Sequence, residues 1–300
     1  MSTQDSPTFR DRLFVASQYL LPQHLLSRWV YRLTRSRSPA VKNALISRFM
    51  RGFRPDMLDA MQPDPLAYGS FNEFFTRALR PGTRPVDADD GVLVSPVDGA
   101  VSQIGQLDGS QIPQAKGHSY SLEALLDSGG RSWAPRFAGG CFATLYLAPF
   151  NYHRIHMPLG GTLRAAWYVP GKLFSVNAVT AASVPGLFAR NERIVCIFED
   201  GPRLFAMVLV GALFVGSMDT VWHGEVTPRS PRNRLELPLD TSRSPLRLEK
   251  GAEMGRFNMG STVILILPPD TIDWLAPLKS RDNVVVGRPL ARLRAAMKVS

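Results

Sequence analysis

The chain has 300 residues, 45% of them hydrophobic and 20% charged, with a formal net charge of +10. That length can bury a full core as one large domain or two small ones, and the composition excludes a disordered or fibrous chain. Two cysteines, Cys141 and Cys196, are too few for a disulfide scaffold, and their apolar neighbours suit buried, reduced thiols in a cytosolic setting.

The charge is concentrated at the start. Residues 1–54 hold ten arginines and lysines against Asp5 and Asp11, so this stretch carries +8 of the +10. An anionic membrane surface and nucleic acid are the two partners such a stretch suits. Nucleic acid is disfavoured, because the basic stretch has few aromatics for base stacking and no binding motif. Apolar residues from Phe14 to Phe53 recur at steps of three and four, including Leu20, Leu21, Leu25, Leu26, Trp29, Val30 and Leu33. That periodicity predicts amphipathic helices, broken by Pro22 and Pro39. Such helices suit either a headgroup layer or a cap packed on the main domain with its arginines in water. The polar start gives no secretory signal, and the uncharged run Leu204 to Met218 is shorter than a bilayer span. Membrane association is therefore expected to be peripheral.

Residues 55–85 read as a helical link, with Phe71 to Leu79 periodic and Arg80-Pro81-Gly82 stopping it. Strand-like runs follow at 92–94, 141–147, 162–168, 194–198, 203–210, 224–226 and 263–267. Asp-Gly pairs at 90–91, 98–99, 108–109 and 200–201 are turn signals, and Pro228 to Pro245 reads as an exposed loop. The expected fold is α+β: an antiparallel barrel or sandwich, residues 86–300, fronted by a basic helical module and link, residues 1–85.

Three segments carry chemistry. Gly260-Ser261-Thr262 opens the apolar run Val263 to Leu267, and a serine after glycine can attack the carbonyl that joins them. Ser95-Pro96-Val97-Asp98-Gly99 supplies a carboxylate, and Asn151-Tyr152-His153-Arg154-Ile155-His156 supplies imidazoles. Carboxylate, imidazole and hydroxyl are the parts of a relay that activates a serine. Taken singly, Asp98-Gly99 is ordinary turn chemistry and Gly260-Ser261-Thr262 an ordinary turn into a strand. His153 and His156 lack the accompanying ligands of a metal site, so no metal is expected.

These segments, with Phe71-Asn72-Glu73-Phe74-Phe75-Thr76-Arg77, Tyr168 to Asn177, Leu187 to Arg193 and Glu253 to Phe257, make the chain similar to the bacterial-type phosphatidylserine decarboxylases. The resemblance spans about residues 20 to 295 in ordered blocks; one departure is Met259, where the family usually has leucine. It implies pyruvoyl-dependent conversion of phosphatidylserine to phosphatidylethanolamine, after self-cleavage between Gly260 and Ser261. In that reading His156, oriented by Asp98, deprotonates Ser261, which becomes the covalent pyruvoyl cofactor. His153 is the candidate proton donor in decarboxylation, its alternative being a hydrogen-bonded structural histidine. Because Val263 to Leu267 pairs as a core strand in this reading, the chains 1–260 and 261–300 are expected to stay associated; the resemblance also implies that processed units form a homo-oligomer and that the enzyme sits on the cytoplasmic side of the cell membrane. Two rivals remain: a basic lipid-binding module, and a serine hydrolase using the same triad without a Gly-x-Ser-x-Gly elbow.

Overall fold

The computed structural model describes residues 8–213, 217–227, 233–238, 245–259, 261–275 and 277–294. Gly260 and most of the expected loop 228–245 thus lie outside the described residues.

Helix α1 (Phe9–Leu20) opens on a capping box: Thr8 Oγ1 accepts from the Asp11 N–H, and the Asp11 carboxylate accepts from the Thr8 N–H. Leu21 and Pro22 end it, and α2 (Gln23–Thr34) follows at once. Pro39 starts α3 (Pro39–Phe53) instead of interrupting a helix, since its fixed φ and missing N–H suit a first turn. α4 (Phe71–Phe75) is shorter than the periodicity to Leu79 suggested. Thr76 stops it, returning both its N–H and its Oγ1 to the Asn72 carbonyl.

Beyond residue 90 strands dominate, with short helices between them. They include β1 (Gly99–Gln106), β2 (Cys141–Leu147), β3 (Arg154–His156), β4 (Gly161–Val169), β5 (Arg193–Asp200), β6 (Arg203–Val210), β7 (Met218–Thr220), β8 (Glu253–Phe257) and β9 (Ser261–Leu267). The main sheet runs β4-β5-β6-β9-β2-β1, all antiparallel, from an edge piece at Leu235–Glu236 to another at Asn283–Val284. That order is an open path, so the architecture is α+β with no closed barrel among the described residues. A smaller sheet joins Gly224–Glu225, β7, β8 and β3. Asp200-Gly201 makes the expected hairpin, with Gly201 at φ 58°. Asp98-Gly99 instead opens a strand, and Leu235–Glu236 adds to the sheet where a loop was expected.

Strand β9 is the axis of this arrangement. Its apolar run is buried at every residue, flanked by β6 and β2, so it reads as a two-sided core strand without alternation. Cys141 and Cys196 are both free and buried, on β2 and β5.

Two apolar clusters result. The larger covers the sheets; the smaller joins Ile46 and Phe49 of α3 to Phe71, Phe74 and Phe75 of α4. Phe49 meets Phe71, Phe74 and Phe75 edge-on, with centroids 5.3–5.8 Å apart. Met259 packs against both clusters.

Helices α1 and α2 dock in an unusual sense. Their inward residues are largely polar: Gln18 and Gln23 accept from the backbone N–H groups of Ser175 (2.7 Å) and Leu173 (2.8 Å), and Ser27 and Thr34 are also buried. Leu20, Leu25, Trp29 and Leu33 face outward, Leu20 at 87% exposure and Trp29 at 64%. The cap expected from the sequence exists, but it buries amides and presents leucines.

Replacing Phe49 by alanine is expected to cost roughly 3–5 kcal/mol, because the cavity would sit among three aromatic rings that cannot close over it. Urea unfolding of the variant beside the wild type measures this directly.

Candidate active site

Ser261 is the first residue of β9 and is fully buried. It lies opposite Leu147, the last residue of β2, while Thr262 lies between Tyr146 on one side and Val210 on the other. The ladder fixes the Ser261 backbone, yet its Oγ has no hydrogen-bond partner among the described residues, and neither does Thr262 Oγ1. A buried hydroxyl left unbonded costs free energy, so it calls for a functional account.

The chain before the serine is clamped. The Asn258 N–H donates to Ser217 O (3.0 Å), its Nδ2 donates to Asp219 Oδ1 (3.0 Å) and to Ser217 Oγ, and its Oδ1 accepts from Asn72 Nδ2 (3.0 Å). Arg256 in turn holds Asp219 at 2.9 Å. With Met259 gripped by both apolar clusters, little freedom remains on the N-terminal side of Gly260.

His153 reaches the same strand end. It is fully buried and stacked on Phe75, centroids 4.2 Å apart. Its Nε2–H donates to the carbonyl of Ala148 (3.1 Å), the residue after Leu147. Nδ1 is then the bare acceptor, and it too has no hydrogen-bond partner among the described residues. Burial, reinforced by the nearby Arg77 charge, pushes its pKa down to about 3, so the ring is neutral at physiological pH.

His156 is half-buried on β3, opposite Glu253. Its Nδ1–H donates to Gly251 O (2.8 Å), which leaves Nε2 to accept from the Tyr152 hydroxyl (3.0 Å). Burial lowers its pKa, opposed by the Gly251 carbonyl and the Glu253 charge. Its backbone N–H donates to Pro96 O (2.8 Å), tying β3 to the Asp98 segment.

Asp98 is buried just before β1, across β2 from Ser261. A Cβ at Gly99 would collide with the Tyr146 carbonyl, so glycine is required for this approach. The Asp98 carboxylate accepts from Arg84 Nε (3.0 and 3.1 Å) and Nη2 (2.7 Å), and from the Val286 N–H (2.9 Å). Arg84 also binds Asp59 at 2.7 Å. Burial alone would lower the Arg84 pKa, but the bonds to Asp98 and Asp59 outweigh it and raise it.

The fold therefore brings Ser261 and His153 to one end of β2 and ties the Asp98 and His156 segments together through the backbone. In this conformation the bonds of Asp98 go to Arg84 and Val286, and both His156 nitrogens are engaged by Gly251 and Tyr152. Sequence reasoning missed Arg84, Phe75, Asn72 and Asn258 as parts of the site. Phe75 and Asn72 lie in the quoted segment 71–77, but Arg84 sits in a Pro-flanked link with no distinguishing pattern. As for a group made from Ser261, the residues fit. The hydroxyl that would be consumed is buried and has no hydrogen-bond partner among the described residues, and the imidazole held at the same end of β2 also keeps an unpartnered acceptor.

His153 also predicts a pH dependence. Its folded pKa near 3 lies below the ordinary 6.5, so between these values the unfolded chain binds a proton that the folded chain refuses. Stability contributed by the neutral ring is complete above pH 6.5 and declines on acidification, by about 1.4 kcal/mol per pH unit. Urea midpoints measured from neutral pH downward should fall less steeply for His153→Gln than for the wild type.

Comparison with known proteins bears on this arrangement. A sequence model described as phosphatidylserine decarboxylase matches residues 71–292, and one described as PSD matches residues 13–54. The phosphatidylserine decarboxylase proenzyme of Bordetella pertussis is 53% identical over 283 residues, 94% of this chain and 95% of the relative. That of Stutzerimonas stutzeri is 51% identical over 283 residues, 94% of this chain and 95% of the relative. That of Pseudomonas fluorescens is 49% identical over 286 residues, 95% of this chain and 100% of the relative. With the match running through both the strand that carries Ser261 and the segments that carry Asp98, His153 and His156, this chain belongs to the phosphatidylserine decarboxylase family.

Proposed function

We propose that this chain is the proenzyme of a phosphatidylserine decarboxylase, which cuts itself between Gly260 and Ser261 and then converts phosphatidylserine to phosphatidylethanolamine. The observation that carries this reading is the buried, unbonded Ser261 hydroxyl at the head of a central strand. Ser261 Oγ attacks the Gly260 carbonyl while its proton passes to a histidine; the C–N bond breaks, and the amide becomes an ester with a free Ser261 amine. Removal of the Ser261 Cα proton expels the Gly260 carboxylate. Water then replaces the nitrogen, ammonia leaves, and residue 261 carries a pyruvoyl group.

His156 is the base in this proposal, and it serves once Nε2 exchanges the Tyr152 hydroxyl for Ser261. Asp98, fixed by Arg84 and the Val286 N–H, supplies the negative charge that favours the imidazolium. The pyruvoyl group supplies the electron sink for the carbanion left when carbon dioxide departs. His153, neutral and stacked on Phe75, provides the proton that takes the place of the carboxyl, from the Nε2–H that Ala148 O now holds. A second reading has its own observation: Nδ1 of His153 and Oγ of Ser261 are both unsatisfied, which suits His153 as the base for cleavage instead.

Pairing of β9 with β2 from Ser261 to Leu267 and with β6 from Thr262 to Ile266 supports the expectation that the two fragments stay together after the cut. The proposal includes a peripheral site on the cytoplasmic face of the cell membrane; what supports contact with a membrane surface is the outward leucines and Trp29 of α1 and α2, among arginines. Among the described residues no helix is long and apolar enough to cross a membrane.

Intact mass tests the cleavage. The wild type should give fragments 1–260 and 261–300, the smaller lighter by one ammonia than simple hydrolysis predicts, and Ser261→Ala should remain a single chain. His156→Ala is expected to stay uncleaved, and His153→Ala to be cleaved yet inactive; an uncleaved His153→Ala would move the base to His153.

For the membrane reading, Leu25→Ser combined with Trp29→Ser should weaken partition onto anionic vesicles by about tenfold or more. Unchanged partition would remove that part of the proposal.

A further inference from the structure

The structure points to a second binding site, distinct from the catalytic residues: we propose that a cleft between the α1–α2 corner and the loop Pro170–Phe174 holds the phosphate of an anionic phospholipid in the bilayer. The inference rests on the membrane reading above and gives that surface a specific ligand.

Two adjoining cavities, about 310 and 500 Å³, share His24 and Lys172 as lining residues. Arg28 lines one and Arg190 the other, and neither lining contains a carboxylate. Arg28, Lys172 and Arg190 have no ion-pair partner among the described residues, whereas most of the arginines around the β sheets are paired with an Asp or Glu. Unopposed cations gathered in one concavity repel one another, and an anion relieves that cost.

The cleft is built, not a chance gathering of flexible side chains. Arg190 lies over the rings of Phe174 (5.1 Å) and Tyr19 (5.5 Å) and donates to the Tyr19 hydroxyl (3.3 Å), contacts that position the guanidinium without neutralising it. The loop bearing Lys172 is pinned on both sides. Lys172 N–H donates to Arg190 O (2.8 Å), Leu173 N–H to Gln23 Oε1 (2.8 Å), and the His24 Nε2–H donates to Gly171 O (2.9 Å). The buried glutamines of α1 and α2 thus have a second consequence: they set the helix corner against this loop and so form the cleft.

The ligand must be both anionic and apolar. Leu21 and Leu25 line the same cavity as Arg28, are themselves exposed, and are continuous with Leu20 and Trp29. A free phosphate would leave this rim in water. A phospholipid would place its phosphodiester among Arg28, Lys172 and Arg190 and its acyl chains along the leucines. None of Asp98, His153, His156 and Ser261 lines the cleft, which separates it from the reacting centre.

The test compares Arg28→Gln/Lys172→Gln with Arg10→Gln/Arg12→Gln, an equal loss of charge from exposed positions on α1 outside the cleft. Partition of the full-length protein is measured on phosphatidylcholine vesicles with and without phosphatidylglycerol, and titration with inorganic phosphate is run beside it. Diffuse attraction contributes about fivefold per charge, so the control pair should lose on the order of 30-fold and the cleft pair clearly more, only on phosphatidylglycerol vesicles. Equal losses from both pairs would overturn the cleft while leaving the membrane reading intact. A wild type that ignores phosphatidylglycerol vesicles would overturn both. Saturable binding of inorganic phosphate without lipid would make this a free-anion site, and a KM for water-soluble short-chain phosphatidylserine that rose in step with the lost partition would make it part of the substrate site; either result overturns the proposal.

Discussion

The rest of this structure depends on where Ser261 is held. It begins a buried strand and pairs with Leu147 of β2, while the next residue, Thr262, is paired on both sides, so the Ser261 backbone is fixed and its hydroxyl is left unbonded. An ordinary strand residue in such a place would be apolar, and a buried serine would normally bond to a nearby carbonyl. Here the cost is retained, and the sheet around it is stable enough to bear it. The chain before Ser261 is held as well: Asn258 and Met259 are clamped on the other side of Gly260, where the cut is proposed. Holding residues 258–259 and 261 in place suits the proposed attack, which needs the serine and its preceding carbonyl kept close.

The helical N-terminal region is part of that clamp. Phe75 of α4 stacks on His153, Asn72 bonds to Asn258, and the α3–α4 aromatic cluster takes Met259. Arg84 extends the connection, joining Asp59 of the link to the Asp98 carboxylate. Four contacts from residues before 85 therefore bear on the segments around Asp98, His153 and Ser261 in the β-rich region. Helices α1 and α2, with their outward leucines and Trp29, are continuous with this region in sequence, so the exposed apolar face and the Ser261 region are served by one stretch of chain.

Electrostatics divides the molecule in the same way. Around the reacting centre charges are paired: Arg84 with Asp98 and Asp59, Arg154 with Glu253, Arg256 with Asp219. Burial lowers the pKa of both histidines there, that of His153 to about 3. At the α1–α2 corner the cations of the cleft stand without carboxylates and beside exposed leucines. Paired charge fixes geometry at the site, and unpaired charge at the outer corner is what the proposed anionic ligand would meet.

Much of this was legible in the sequence. Apolar runs located the strands 141–147, 203–210 and 263–267 because a buried strand needs nothing beyond local side chains to declare itself. Gly260-Ser261 beside an apolar run, with Asp98 and the two histidines, suggested the chemistry proposed above. Helical periodicity located α1 and α2, and their charge marked a basic face. What the tertiary structure decided is which face turns inward. Periodicity shows that a helix has two faces but not which neighbour each one meets, and here Gln18 and Gln23 are inside because unsatisfied N–H groups of the loop 173–175 await them. Arg84 was invisible for a similar reason, since its meaning lies in a carboxylate 14 residues away that only folding brings near. The unsatisfied atoms of Ser261 and His153 are likewise a property of what surrounds them, which residue identity alone does not contain.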